Sequence, residues 1–291
     1  MKKGERLIEG ILFFSAFLAL IILALIFLFL LRESLPIFGL ISPVDFLTGM
    51  EWAPASFTDP SYGILPLILG TALVVLTATV IAVPVGIACA IYLSEVSDSR
   101  LREVLKPVLE ILAGIPSVVY GFIALVLLSG MVHDIFNTTY RLNALNGGLI
   151  LALMILPTII TISEDAINSV PREYREASLA MGATRWETIR SVTLPTARSG
   201  ITVGVMLGIG RAVGETMAVM MATGNSPIVT FDVLRSIQTM TATIAIEMGE
   251  VVFGSPHYHA LFAVGLVLFM ITLAINLVAD VVVGRLGVKR I

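Results

Sequence analysis

NSVPREYREASLAMGATRWETIRSVTLP, residues 168–195, is a 28-residue polar stretch set between two long apolar runs. Pro171 suits the first turn of a helix, where its missing N–H would be unpaired anyway. Gly182 can take the left-handed conformation that closes such a helix. Thr184, with Glu187 three residues on, forms a capping box that starts a second helix. Pro195 then ends the polar stretch. The spacing predicts a compact helix–turn–helix outside the membrane, and a surface of this kind implies a partner.

The surroundings explain why the insert stands out. Hydrophobic residues make up 57% of the 291 and charged residues 13%, with a mean hydropathy of +0.98. A soluble domain carries roughly 25% charged residues, so the chain reads as an integral membrane protein. The formal charge is −3, and the basic residues form no patch that would suit nucleic acid. Cys89 is the single cysteine, which excludes an intrachain disulfide or a cysteine-rich metal site. In its apolar run it reads as a small hydrophobe. Lys2, Lys3 and Arg6 precede an uncharged run at 10–31. That run exceeds the apolar core of a signal peptide, about 7–15 residues, and reads as a retained first span.

About 20 apolar residues cross a bilayer as a helix. Six runs meet this length: 10–31, 64–93, 111–132, 146–167, 199–222 and 259–283. Pro66 and Pro84 lie in the second, where tilt or a kink is expected. Glu164 and Asp165 fall near the end of the fourth, at the interface. The expected division is 1–63, a first span with an outer loop, and 64–291, the transmembrane domain carrying the polar loop 168–195. No internal repeat and no separate soluble domain is evident.

Lys and Arg set the orientation. With the N-terminus inside, fourteen basic residues fall inside, among them Lys2, Lys3, Arg6, Arg285, Lys289 and Arg290 at the ends. Arg32, Arg141 and Arg235 fall outside, and Arg211 lies within a span. Both termini and the helix–turn–helix are therefore expected in the cytoplasm. The outer segment 223–258 contains FDVLRSIQTMTATIAIEMGE, residues 231–250. Its apolar spacing suits a helix lying on the membrane surface or one packed on the protein's own spans.

Chemistry of the usual enzymatic kinds finds no residues. Lys2, Lys3, Lys106 and Lys289 are the only lysines, and none stands in a Gly-rich loop before Ser or Thr, so no Walker A sequence exists. His257 and His259 offer two possible metal ligands without a third nearby. No Ser–His–Asp arrangement is recognisable. The expectation is a non-enzymatic chain without cofactor or metal.

Two constellations remain. Arg211 and Glu215, spaced i and i+4 in the fifth run, would share a helix face and pair. A lone Arg at mid-bilayer costs between ~2.5 and ~17 kcal/mol, so it should face protein or water. Two readings stand open: Arg211 lines a translocation path for an anion with Glu215 and Thr216 beside it, or the two form a structural ion pair. Gly200, Gly204 and Gly208 repeat every four residues, which lets another helix approach closely. In LAGIPSVVYGF, residues 112–122, Gly114 and Pro116 suggest a helix break, and Ser117 and Tyr120 place hydroxyls toward the bundle or serve ordinary packing.

Glu176, Ala177, Ser178, Gly182, Val192, Leu194 and Pro195 fit E-A-A-x3-G-x9-I-x-L-P, with Ser178 and Val192 as conservative departures. This resembles the EAA loop of ABC importer permeases. The resemblance implies a coupling helix that docks on a cytoplasmic ATPase through Glu173, Glu176, Ala177, Ser178 and Gly182. KPVLEILAGIPSVVYGF (106–122) and GRAVGETMAVMMATGN (210–225) extend it. With the loop, they resemble the phosphate ABC importer permease of PstC type over roughly 71–283. The fold implied is all-α: six transmembrane helices in the type I ABC importer permease arrangement, within the plasma membrane of a prokaryote. The partners implied are a PstA-type permease, a PstB-type ATPase dimer and an extracytoplasmic PstS-type phosphate-binding protein. Phosphate would pass near Arg211, Glu215, Thr216, Ser117 and Tyr120. The competing readings are a permease for molybdate or sulfate, and a membrane subunit that signals phosphate status.

Overall fold

Thirteen α-helices and one short hairpin frame the computed structural model, which describes residues 3–56 and 58–285. Lys2, Lys289 and Arg290 of the basic tally lie outside the described residues, as do the side chains of Lys3, Arg6 and Arg285. Helix α1 (Lys3–Ser34) leads through a tight turn to α2 (Pro43–Thr48) and the antiparallel pair β1 (Trp52–Ala53) and β2 (Ser61–Tyr62). Helix α3 (Leu65–Ile91) ends in a π turn at Tyr92–Val96, and α4 (Ser99–Gly114) follows. Next come α5 (Ser117–Ile123), a π turn at Ala124–Leu128, α6 (Ser129–Phe136) and α7 (Ala144–Asn168). Helices α8 (Arg172–Ala180) and α9 (Arg185–Thr188) precede a third π turn, Ile189–Thr193, and α10 (Leu194–Gly214). Helices α11 (Met217–Ala222), α12 (Met240–Glu247) and α13 (Pro256–Arg285) complete the chain.

Six helical stretches are long and apolar enough to cross a membrane: Ile8–Gly39, Leu65–Val96, Ser117–Phe136, Ala144–Asn168, Arg185–Gly214 and Pro256–Gly284. They match the six expected runs, with two corrections. The third begins at Ser117 rather than 111, because α4 is a separate amphipathic helix that stops where Ile115 and Pro116 turn extended. The residue before a proline is pushed out of the helical region. The fifth stops at Gly214, eight residues short of the expected end, because Glu215 is extended at ψ 130°.

Helix α7 is the centre. Leu151, Ile155 and Ile159 are fully buried against Val74, Ala78 and Ala82 of α3 and against Ala212 of α10. Lipid is as apolar as leucine, so close packing of small residues, rather than water exclusion, holds such helices together. Gly200, Gly204 and Gly208 of α10 all abut α7, at Ala166, Ile162 and Ile159. That glycine repeat is the seam expected from the sequence. Helix α1 is peripheral and leans on α13 through Phe27 with Phe269 (5.8 Å) and Phe29 with Phe262 (5.5 Å).

A second core joins Ile37, Phe46, Trp52, Ile64 and Leu67 to Met240, Leu261 and Val264. Helix α12 is part of it, with Met240, Thr241, Ala242 and Thr243 buried. Within residues 231–250, the buried stretch 236–243 packs on the protein's own spans, while Phe231 is exposed. The Met240 N–H donates to Thr71 Oγ1 (3.0 Å), which ties the segment to α3.

At Gly70 an added Cβ would lie 2.3 Å from the Gln238 carbonyl oxygen, a backbone atom that cannot step aside. Gly70→Ala is expected to lower stability by about 1–3 kcal/mol through overpacking. Gly130→Ala, where nothing lies within 4 Å of the new atom, should be neutral or stabilising. Thermal unfolding in detergent compares the two.

Candidate functional site

The polar loop folds as its sequence predicts. Helix α8 ends in a Schellman turn: Gly182 sits at φ +88°, its N–H donates to the Leu179 carbonyl (3.0 Å), and Ala183 N–H donates to Ser178 (3.2 Å). Thr184 then caps α9. Its Oγ1 accepts from Glu187 N–H (3.3 Å), and its own N–H donates to Glu187 Oε2 (2.8 Å), completing the capping box. Pro171 stands one residue before α8 instead of inside its first turn.

Pro195 does not interrupt the chain. Leu194 N–H reaches back five residues to Ile189 in the π turn, and the helix runs on into α10. A proline lacks an N–H and its ring crowds the carbonyl four residues earlier. The wider turn accommodates both defects.

Helix α8 has an outer and an inner face. Glu173, Glu176 and Ala177 are exposed, while Arg175 and Ser178 turn toward the bundle. Ser178 Oγ and Thr188 Oγ1 share a hydrogen bond (2.9 Å) that clips α8 to α9. Tyr174, Leu179, Trp186 and Met181 are uncovered, at 54%, 45%, 62% and 89% exposure. Four large apolar side chains on one polar loop form a surface suited to another protein.

Glu164, expected at the membrane interface near the end of the fourth span, is buried within the protein. Glu164 is 1% exposed, with Lys106 Nζ at 3.2 Å and Arg102 Nε at 3.9 Å. Asn168 Nδ2 donates to the same carboxylate (3.2 Å), and Ser94 Oγ donates to Asn168 Oδ1 (2.7 Å). Arg102 also donates to the carbonyls of Leu93 and Ser94, capping the second span. Neighbouring Arg175 Nη2 pairs with Glu95 Oε1 at 3.0 Å. The spacing of Lys106 and Arg102 on an amphipathic helix was the only sequence signal for this cluster, and it does not name Glu164.

The second constellation lies where helices break. Expected to pair along one helix face, Arg211 and Glu215 do not. Helix α10 ends between them, so the i, i+4 geometry is lost. Gly214 before Thr216, a helix stop followed by a cap, was the available signal. Glu215 turns forward instead and accepts from Ala218 N–H (3.2 Å), holding the start of α11. Its carbonyl accepts from Thr241 Oγ1 (2.9 Å). Arg211 is exposed on the last turn of α10 and makes neither an ion pair nor a hydrogen bond among the described residues.

The break after α4 is brought against the break before α11. Tyr120 is buried, and its hydroxyl donates to the Leu112 carbonyl (2.8 Å), bridging the interruption at Pro116. It packs with Ala218 and Ala222 of α11. Gly121 leaves room for that contact, since a Cβ there would meet Met221 Sδ at 2.8 Å. Arg211 lies within electrostatic reach of Tyr120. Ser117 and Thr216, both half-buried, flank the two breaks. Asn146, missed in the sequence, is fully buried and staples the group: its Nδ2 donates to the Ala222 carbonyl (2.9 Å).

His257 and His259 go separate ways, Nε2 of the first to Glu247 Oε2 (2.7 Å) and Nδ1 of the second to the Glu33 carbonyl (2.7 Å). They do not form a joint ligand set. Trp52 Nε1 donates to the same Glu247 (3.0 Å).

Residues 82–289 match the model of the family described as the binding-protein-dependent transport system inner membrane component. The chain belongs to that family. It is 42% identical over 232 residues to the probable ABC transporter permease protein YqgH of Bacillus subtilis, covering 80% of this chain and 75% of that protein. It is 36% identical over 276 residues to the phosphate transport system permease protein PstC of Mesorhizobium japonicum, covering 88% and 82%. Among solved structures, a bacterial alginate ABC transporter chain aligns over 96% of both chains with a TM-score of 0.64 at 17% identity. A chain of the MetNI methionine ABC transporter aligns over 77% of this chain and 94% of its own, with a TM-score of 0.57 at 20% identity. These two share the fold. The chain is thus a multi-pass ABC importer permease, a transport subunit rather than an enzyme, that works with an ATPase and a binding protein.

Thr184→Ala removes the cap of α9, a loss of about 1 kcal/mol. Amide hydrogen exchange at Glu187 is expected to quicken about fivefold in the variant, while exchange in α7 stays unchanged.

Proposed function

We propose that this chain is the permease subunit of an ATP-driven phosphate importer and forms half of its translocation path. The identity to phosphate transport permeases over most of the chain supports the substrate. The observation that carries the path is Arg211, a permanent cation with no ion pair or hydrogen bond among the described residues, at the meeting of two interrupted helices. Half-helices in membranes commonly turn their free ends to ionic substrates. Phosphate desolvated in the path meets the guanidinium, and Ser117 and Thr216 offer hydroxyls beside it. Tyr120 holds the first break in shape, and Glu215 holds the second. Neither carboxylate nor hydroxyl then competes directly for the arginine.

The excess of Lys and Arg on one side supports a cytoplasmic position for both termini and the α8–α9 pair. A PstB-type ATPase dimer docks there on the exposed Glu173, Glu176 and Ala177, with the uncovered Tyr174, Met181 and Trp186 around them, while Ser178 and Gly182 hold the shape of the loop. A PstA-type permease supplies the other half of the path, and a PstS-type protein delivers phosphate from outside.

Arg211→Gln is expected to lower phosphate uptake by about ten- to hundredfold, the weight of one charge-assisted contact of ~1.5–3 kcal/mol, with the assembled complex recovered in full. Uptake at the wild-type rate would remove Arg211 from the path, and loss of the complex would make it structural. Transport of sulfate or molybdate in place of phosphate would redirect the substrate. Gly182→Val meets no neighbour within 4 Å, so its cost is the left-handed backbone, about 1–2 kcal/mol. It should leave the ATPase bound while uptake per ATP hydrolysed declines.

A further inference from the structure

The inner face of α8 poses a question that docking leaves unanswered: what carries its movement into the spans. No residue of α8 is fully buried, so the helix is not fused to the bundle by a core of its own. Its charged attachment is Arg175, one position before the glutamate of the EAA pattern. Arg175 Nη2 meets Glu95 Oε1 at 3.0 Å and donates to the Ile167 carbonyl at 2.7 Å. Glu95 belongs to the π turn that ends the second span, and Ile167 belongs to the last turn of α7, the fourth span. Arg175 and Glu95 are mostly buried, at 22% and 15% exposure. One side chain of α8 thus touches two further elements.

We propose that Arg175 is the positioning residue through which α8 acts on the second and fourth spans. This rests on the reading of α8 as the ATPase-coupling helix. Glu173 and Glu176 face outward to receive the ATPase, and Arg175 faces inward to pass the displacement on. The attachment is built to change partners. Arg175 Nε is buried without an acceptor, so the guanidinium has a donor to spare. Beside the pair lies a cavity of about 350 Å³, bounded by Glu95, Leu179, Arg185 and Thr188. A guanidinium with room and an unused donor can hold Glu95 in one arrangement of α8 and release it in another. Coupling between distant sites needs such an element with two discrete arrangements. On the spans' side, the Ser94–Asn168–Glu164 chain with Lys106 joins the ends of the second and fourth spans to α4. A pull on Glu95 is therefore shared among them.

The test uses the whole importer, with its ATPase, second permease and binding protein, in proteoliposomes. ATP hydrolysis, radiolabelled phosphate uptake and ATPase stoichiometry are measured for wild type, Arg175→Gln, Glu95→Arg and the exchange Glu95→Arg with Arg175→Glu. Each single variant is expected to keep its ATPase subunits and its hydrolysis, while phosphate carried per ATP falls about tenfold. The exchange restores the ion pair and should recover part of that ratio. An unchanged ratio in Arg175→Gln overturns the proposal. So does loss of uptake in step with loss of the ATPase subunits, or an exchange that recovers nothing. The ratio is read on whichever oxyanion the wild-type complex carries, so a wrong substrate and a wrong role for Arg175 give different results. An ATPase absent from the wild-type complex would instead refute the coupling reading itself.

Discussion

Hydrocarbon offers no hydrogen bonds, so every backbone group freed by a broken helix must find a partner inside the protein. This constraint orders much of the structure. The break at Pro116 is bridged by the Tyr120 hydroxyl on the Leu112 carbonyl. The break at Glu215 is closed by the carboxylate on Ala218 N–H and by Thr241 on the Glu215 carbonyl. Asn146 reaches the Ala222 carbonyl at the far end of α11. The first interruption is fastened by a side chain of the adjoining helix, and the second by its own carboxylate and by Thr241 of α12, so two bends persist where a straight helix would be simpler. Among the described residues, Arg211 is left without an ion pair or hydrogen bond beside these bends.

The polar end obeys a different rule. Glu164 is buried, and an unpaired carboxylate at that depth would be strongly unfavourable. Lys106 and Arg102 come from α4, which contributes no fully buried residue of its own. Helix α4 is thus held at one end by charge and at the other by its turn into α5. The Arg175–Glu95 pair beside it applies the same logic to α8. Elements with little core are attached by ion pairs, which can be exchanged more readily than interlocked side chains.

The sequence made the architecture legible because lipid simplifies the problem. Apolar length alone located six spans, and the fixed chemistry of Gly182, Thr184 and Glu187 specified the loop to within a residue. The Gly200–Gly204–Gly208 stripe announced a close helix seam, though not that α7 was the partner. Local patterns failed where tertiary contacts decide. Arg211 and Glu215 have pairing spacing, yet the hydrogen bond that Glu215 accepts from Ala218 N–H of α11 and the exit at Gly214 won over helix continuation. Asn146, Glu164 and Arg175 carry no local signature, since what matters about each is a partner more than twenty residues away or on another element. For Arg211, Ser117 and Tyr120, sequence supplied the identities and structure supplied their nearness.

The uninterrupted passage through Pro195 has a mechanical consequence. Thr188 and Arg211 ride on one continuous helical rod, joined by the π turn, roughly 35 Å apart at 1.5 Å per residue. A tilt of about 5° at the loop end sweeps the guanidinium sideways by roughly 3 Å, a simple product of angle and length. That is the span of one hydrogen bond, reached without bending any backbone along the way.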